Sequence, residues 1–195
     1  MLVVGFPTGT LQANCYLLAT AAGAECVIVD PGEGGAARIT EAVREHGLTP
    51  VAALATHGHF DHVAGAAPVA EEYGVGLRLH TADHALAGFP VEPLDAGTLE
   101  LAGLEITVER VPGHTPGSVL FRLETPEGGR LVLTGDTLFA GSVGRTDRPG
   151  GDGEDLARSL RKVLTLSDEA VVLPGHGPST TIGRERLGHE RISRV

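Results

Sequence analysis

The sequence has no tryptophan, one methionine, two tyrosines and five phenylalanines, so its interior must be built from leucine, valine, isoleucine and alanine. Cysteine is almost as scarce. Cys15 and Cys26 are the only two, at neither a chelating nor a redox spacing, which excludes a disulfide framework and fits a reducing cytoplasm. Basic residues are outnumbered, with 15 Lys and Arg against 25 Asp and Glu for a formal charge of −10. That balance works against a sequence-independent hold on phosphate backbones, and no nucleic acid partner is expected. Long apolar runs are missing as well. Met1 to Val4 passes directly into Gly5, Pro7 and Gly9 without a basic leader, and no stretch reaches the ~20 apolar residues of a membrane span. The chain therefore reads as cytoplasmic, with no membrane partner. No glycine run ends in Lys-Ser or Lys-Thr, so nucleoside triphosphate chemistry has no support.

What is present suits one compact domain over residues 1–195, with 42% hydrophobic residues and 28 glycines, about twice the usual share of roughly 7%. Short apolar runs alternate with longer mixed segments. Val27 to Val29 stops at Asp30-Pro31-Gly32, a helix is predicted over Ala36 to His46 with Gly47 as its stop, and Val51 to Ala55 reads as the next buried strand. A helix is expected over Val63 to Tyr73. Further on, Leu99 to Leu101, Ile106 to Val111, Val119 to Leu123, Leu131 to Thr134 and Ala170 to Leu173 read as strands, with a hairpin turn at Pro126 to Gly129. Helices are expected over Leu156 to Leu166 and Thr181 to about Ile192, and a long surface loop over Gly144 to Gly153. The alternation is that of an α/β protein.

Four of these strands run into a His or Asp flanked by Gly or Pro: Thr56-His57-Gly58-His59-Phe60-Asp61-His62, Pro112-Gly113-His114, Gly135-Asp136 and Pro174-Gly175-His176. Loops at strand ends are where a rigid scaffold mounts chemistry, so the four are expected to converge. His57 and His59 would point the same way on an extended stretch, whereas Asp61 and His62 are adjacent and diverge unless the backbone turns. Imidazole nitrogen and carboxylate oxygen in such density are the donors of a transition-metal site, and the run can feed two neighbouring ions. A solvated polar loop that happens to be rich in histidine is the alternative. It does not account for His114 and His176 in the same strand-end setting.

These four motifs, together with Thr115-Pro116-Gly117-Ser118, Thr137-Leu138-Phe139 and Thr10-Leu11-Gln12-Ala13-Asn14-Cys15-Tyr16, resemble the metallo-beta-lactamase superfamily. Within it the likeness is to the glyoxalase II branch, the hydroxyacylglutathione hydrolases. The resemblance implies a four-layer αβ/βα sandwich. It implies two divalent metal ions, zinc first, with iron and manganese also suited to nitrogen and oxygen donors. His57, His59 and His114 would hold one ion, Asp61, His62 and His176 the other, and Asp136 would bridge them. A metal-bridging hydroxide would then hydrolyse a small 2-hydroxyacyl thioester resembling S-lactoylglutathione, with Asp61 and Asp136 as the catalytic carboxylates. A thiolate leaves readily near neutral pH, so no separate acid is required.

Other positions keep more than one role. Asp30 either accepts a hydrogen bond from a ligand imidazole or caps a turn. Asn14 and Thr137 are read as loop fasteners. Arg145 pairs with Asp147, braces its loop or holds a substrate carboxylate. Only 19 residues follow His176, which leaves no room for the C-terminal helical extension of longer relatives and puts the hold on glutathione in question. Three other functions share part of the pattern: a persulfide dioxygenase with one iron at His57, His114 and Asp136, a lactone or other ester hydrolase, and a metal-binding module without catalysis. A lactamase proper fits less well, because the common dizinc enzymes carry cysteine where Asp136 stands.

Overall fold

A computed structural model describes residues 1–192 of the chain; residues 193–195 of the expected 1–195 unit lie outside the described residues. Two six-stranded sheets face each other with helices on their outer sides, the four-layer αβ/βα sandwich. The first sheet holds β1 (Leu2–Thr8), β2 (Ala13–Ala19), β3 (Glu25–Val29), β4 (Thr49–Leu54), β5 (Leu77–Leu79) and β6 (Glu92–Pro93), side by side in chain order. β1 to β3 are antiparallel, and from β3 onward the neighbours run parallel. The second sheet is built from β7 (Gly97–Leu101), β8 (Leu104–Arg110), β9 (Val119–Glu124) and β10 (Arg130–Gly135). A small hairpin, β11 (Leu138–Phe139) and β12 (Ser142–Val143), precedes β13 (Val171–Pro174) and β14 (Thr180–Thr181), and the sheet order is β14-β13-β10-β9-β8-β7.

Alternation along β2 shows how the layers form. Cys15, Leu17 and Ala19 face outward into one apolar cluster with Ile39, Val43 and Val69 of the helices, while Tyr16 and Leu18 face inward to Ile106, Val108 and Phe121 of the opposite sheet. A slip of one residue would exchange those two faces, so burial on both sides fixes the register. The outer face of the second sheet is closed by a third cluster, in which Leu120, Val132 and Val172 meet Val163 and Ile182.

The helices begin and end for local reasons. α1 (Ala36–His46) stops at Gly47, which takes the left-handed conformation (φ 64°) that lets its N–H return to Val43 and Arg44 carbonyls. The single helix expected over Val63 to Tyr73 is instead two pieces, α2 (Phe60–Val63) and α3 (Ala66–Tyr73), with Pro68 in the first turn of the second, where its lack of an N–H costs little. α4 (His84–Ala87) follows β5, and α6 (Ile182–Ile192) is the last element. α5 (Gly153–Val163) starts three residues earlier than expected, because the Asp152 carboxylate accepts the Glu154 and Asp155 N–H groups and caps it. Among the described residues no helix is long and apolar enough to cross a membrane.

Phe121 is completely buried between the sheets. Phe121→Ala is expected to lower the unfolding free energy by about 3–5 kcal/mol, read from the denaturant midpoint; a loss below ~1 kcal/mol would refute this account of the core. Burial also pushes the Cys15 thiol well above its usual range and the Cys26 thiol up to about 11. Neither forms thiolate near neutral pH, so a thiol reagent at pH 8 should modify neither cysteine in the native protein and both after denaturation. Rapid native labelling counted by mass spectrometry would contradict this.

Candidate metal centre

Each side chain of interest leaves the end of a strand. β4 delivers the chain to His57, and His59 is still extended (φ −68°, ψ 146°) before the backbone coils into α2. That turn solves the problem of two adjacent residues facing one place, because a helical step carries Asp61 and His62 round to one side. His114 lies between β8 and β9, Asp136 directly follows β10, and His176 follows β13. Since β10 and β13 are parallel neighbours, Asp136 and His176 emerge at the same sheet edge.

The side chains of all four motifs meet. His59 Nδ1 stands 2.9 Å from His114 Nε2, and His62 Nε2 stands 3.3 Å from His176 Nε2. Asp61 Oδ2 is 3.2 Å from His176 Nε2. Asp136 is central, with Oδ2 at 3.5 Å from His114 Nε2 and 3.6 Å from His176 Nε2, and Oδ1 at 3.4 Å from His62 Nε2. Three donor sets have ligand atoms all within 4.8 Å of one another: His57, His59 and His114; His57, His62 and Asp136; and Asp61, His62 and His176. His57 Nε2 and Asp136 Oδ1 are buried yet have no hydrogen-bond partner among the described residues. Lone pairs that face one another at these separations repel unless a proton or cation lies between them. The donor set therefore fits divalent ions of the zinc, iron and manganese kind.

Charge in the cluster is arranged to the same effect. Burial pushes the Asp61 carboxyl up, but the hydrogen bond from His176 and the nearness of His62 bring it down to about 2. Burial likewise opposes ionisation of Asp136, and His62 and His114 overcome it, leaving the group below the usual carboxylate range. Burial draws His57 well below the ordinary imidazole value, and the neighbouring imidazoles draw it further. For His62 the Asp136 and Asp30 carboxylates win over burial and raise it well above that value. Two ionised carboxylates thus call for positive charge, and His57 keeps a free lone pair.

The rings are held from behind. Asp30, at the end of β3 with φ 53°, accepts the Thr56 N–H at 2.7 Å, the Thr56 hydroxyl at 2.8 Å and a hydrogen bond from His62 Nδ1 at 3.0 Å. It contacts a candidate ligand imidazole, the first of the two roles open to it, and so turns His62 Nε2 to the cluster. His114 Nδ1 donates to the Arg145 carbonyl at 2.8 Å. The His176 loop is tied to the first sheet by Asn14, whose Nδ2 donates to Pro174 and Gly177 carbonyls, and by the Tyr16 hydroxyl, which donates to Pro174 at 2.8 Å. Burial and Asp30 raise the Tyr16 pKa and keep that proton in place. Asn14 is thus the fastener expected, whereas the buried Thr137 hydroxyl has no hydrogen-bond partner among the described residues. The Arg145 guanidinium makes paired contacts of 2.6 Å with Asp147.

A profile of the metallo-beta-lactamase superfamily matches residues 8–176. The chain belongs to that superfamily. An uncharacterized protein of Mycobacterium tuberculosis is 41% identical over 95% of each chain. Hydroxyacylglutathione hydrolase GloC of Haemophilus influenzae is 34% identical over 92% of each. Two solved structures share the metallo-beta-lactamase fold closely. TTHA1623 in a di-iron-bound form superposes with a TM-score of 0.80 at 40% identity, over 93% of this chain and 96% of that one. BLEG-1 B3 metallo-beta-lactamase superposes with a TM-score of 0.81 at 35% identity, over 94% of this chain and 96% of that one.

A cavity of about 650 Å³ opens over the cluster, lined in part by Arg145, and its apolar walls escaped the sequence reading. Leu11, Phe60, Leu86, Phe139 and Val143 form an apolar lining, and Arg148 stands at the rim. Leu11 and Phe60 are 64% and 63% exposed, a degree that marks a binding wall rather than a core. The signal available was Phe60 itself, an aromatic ring in an otherwise polar loop. Asp30→Asn should expose how much the bracing carboxylate matters: an amide has one acceptor oxygen for three donors, and stability of the metal-free protein is expected to fall by about 1–3 kcal/mol. Unchanged thermal and denaturant unfolding would show that Asp30 does not brace the loop.

Proposed function

We propose that this protein hydrolyses a small 2-hydroxyacyl thioester, with S-lactoylglutathione as the first candidate. The observation that carries the reading is the chemistry of the cavity wall. Its ionisable members among the described residues are His59, Asp61, His114, Asp136 and His176 of the cluster, together with Arg145 and Arg148, with no further histidine, tyrosine, lysine or cysteine among them. A leaving group receives no proton from a dedicated acid there. A thiolate needs none near neutral pH, whereas an amine or alkoxide does.

In this reading His57, His59 and His114 hold one divalent ion, Asp61, His62 and His176 hold a second, and Asp136 serves both. Zinc is the first choice and iron the second, since a 40% identical relative is described in a di-iron-bound form. Bound there, the ions supply an acidified water for attack and positive charge against the carbonyl oxygen. Asp61, which His176 and His62 hold ionised against burial, is an acceptor that would orient the attacking water. Leu11, Phe60 and Leu86 cover the carbon chain of the thioester and exclude bulk water. A carboxylate on the thiol half meets Arg148, which has no ion pair among the described residues, rather than Arg145, whose guanidinium is taken by Asp147. Buried free thiols at Cys15 and Cys26 support a place in the reducing cytoplasm.

A second reading, β-lactam hydrolysis, draws on the 35% identical B3 metallo-beta-lactamase. The deciding experiment compares kcat/KM for lactoyl thioesters of glutathione and of smaller thiols with a lactate oxoester, a lactone and a cephalosporin, using zinc, iron and manganese forms. Oxygen uptake with glutathione persulfide is followed in parallel. The thioesters should lead by at least tenfold; cephalosporin turnover in their place, or oxygen uptake without thioester cleavage, would reassign the enzyme. Asp136→Ala should lose metal and more than about a hundredfold in kcat/KM, against little change in His46→Ala at the end of α1. An Asp136→Ala protein that keeps two ions and near-wild-type turnover would disprove the shared-ligand role.

A further inference from the structure

Asp83 ends a single turn of tight helix, Thr81–Asp83, between β5 and α4. It is completely buried, and among the described residues no cationic side chain pairs with it. Burying a carboxylate is costly unless its oxygens are satisfied, and here two separate loops satisfy them. Oδ2 accepts the Gly58 N–H at 2.9 Å and the Thr115 hydroxyl at 2.6 Å, and Oδ1 accepts the Gly117 N–H at 2.7 Å. Gly58 lies between His57 and His59, and Thr115 follows His114. The carboxylate therefore ties together the two loops that carry one complete donor triad. The set that shares no residue with it, Asp61, His62 and His176, is braced by Asp30 on His62 and by Asn14 and Tyr16 on the His176 loop.

Both loops make room for Asp83, Gly117 for its carboxylate and Gly58 for its backbone. A Cβ on Gly117 would stand 2.5 Å from Asp83 Cγ, and one on Gly58 would stand 2.8 Å from the Asp83 carbonyl oxygen. All three partners are donors, so only a group with acceptors on both arms can serve them. An asparagine would turn its NH₂ toward the Gly58 N–H or the Gly117 N–H, whichever arm it occupied, and push that loop away.

We propose that Asp83 is a positioning residue that sets the spacing of His57, His59 and His114, and so the affinity of the protein for one of its two ions, without touching that ion. The inference rests on the dinuclear reading of the cluster. Asp83 holds the backbone beside His59 and His114, whereas Asp30 holds the His62 ring directly and, through Thr56, the backbone before His57. Its loss should therefore leave the second triad intact.

The test uses Co²⁺ as probe. Metal-free wild type, Asp83→Asn, Thr115→Val and His59→Ala are titrated with Co²⁺ against a chelating competitor, and visible absorption is recorded alongside thermal unfolding. Wild type should take two ions with two separable spectra. Asp83→Asn should bind one ion as wild type does and the other about 10- to 100-fold more weakly, and the absorption it loses should be the band lost in His59→Ala. Thr115→Val, which removes one of the three bonds to Asp83 together with the Thr115–Ser118 hydroxyl contact, should weaken the same ion by a smaller factor; it decides the matter alone if Asp83→Asn does not fold. Equal weakening of both ions would show a general structural role and overturn the proposal, as would unchanged affinity for both. Wild type that binds fewer than two ions would overturn the dinuclear reading itself and this inference with it. In a protein that binds two, a failure belongs to Asp83 alone.

Discussion

Five imidazoles and two carboxylates are held with their lone pairs converging, and everything else in the molecule is arranged to keep them there. Left alone they would separate, since donors with no acceptor between them repel and buried charge is expensive. The resistance comes from two six-stranded sheets closed on each other by Leu18, Ile106 and Phe121, and from backbone that reaches the centre only at strand ends. Rigidity here is a requirement of the site, because donors must stay within a few tenths of an ångström of productive positions.

The convergence is kept by carboxylates of two kinds. Asp61 and Asp136 face the cluster and carry its negative charge, while Asp30 and Asp83 lie behind it and spend their oxygens on backbone N–H groups, hydroxyls and the far nitrogen of one ring. Among the described residues the second kind has no charge partner apart from His62 at Asp30. Such groups are tolerated because every acceptor is used, and a fully satisfied buried polar network fixes geometry where apolar packing would permit drift.

Much of this was legible in the sequence, and the reason lies in spacing. Strand ends marked by Gly, Pro, His and Asp located all four motifs, and Gly47 located the end of α1 to the residue. Less visible were β1, whose Gly5 and Pro7 argue against a strand until β2 pairs with it, and β5, only three residues long. The break at Ala64 and Gly65 was hidden by an apolar periodicity that runs through it. Thr137 was misjudged because a hydroxyl next to a key aspartate looks useful until its partners are sought. Asp83 could not be found at all: its partners lie 25 to 34 positions away along the chain, and no periodicity encodes such contacts.

The cavity wall has a further consequence. Leu11 sits on the turn between β1 and β2, Phe60 on the first residue of α2 and Leu86 on the short α4, three surface pieces that share no hydrogen-bonded ladder. None lies in a sheet, and none supplies a donor to the cluster. Selection can therefore rework the apolar face, one turn or one helix at a time, while the chemistry beneath it stays constant. A scaffold divided in this way separates what the enzyme accepts from what it does, and a lineage can change its diet without relearning its reaction.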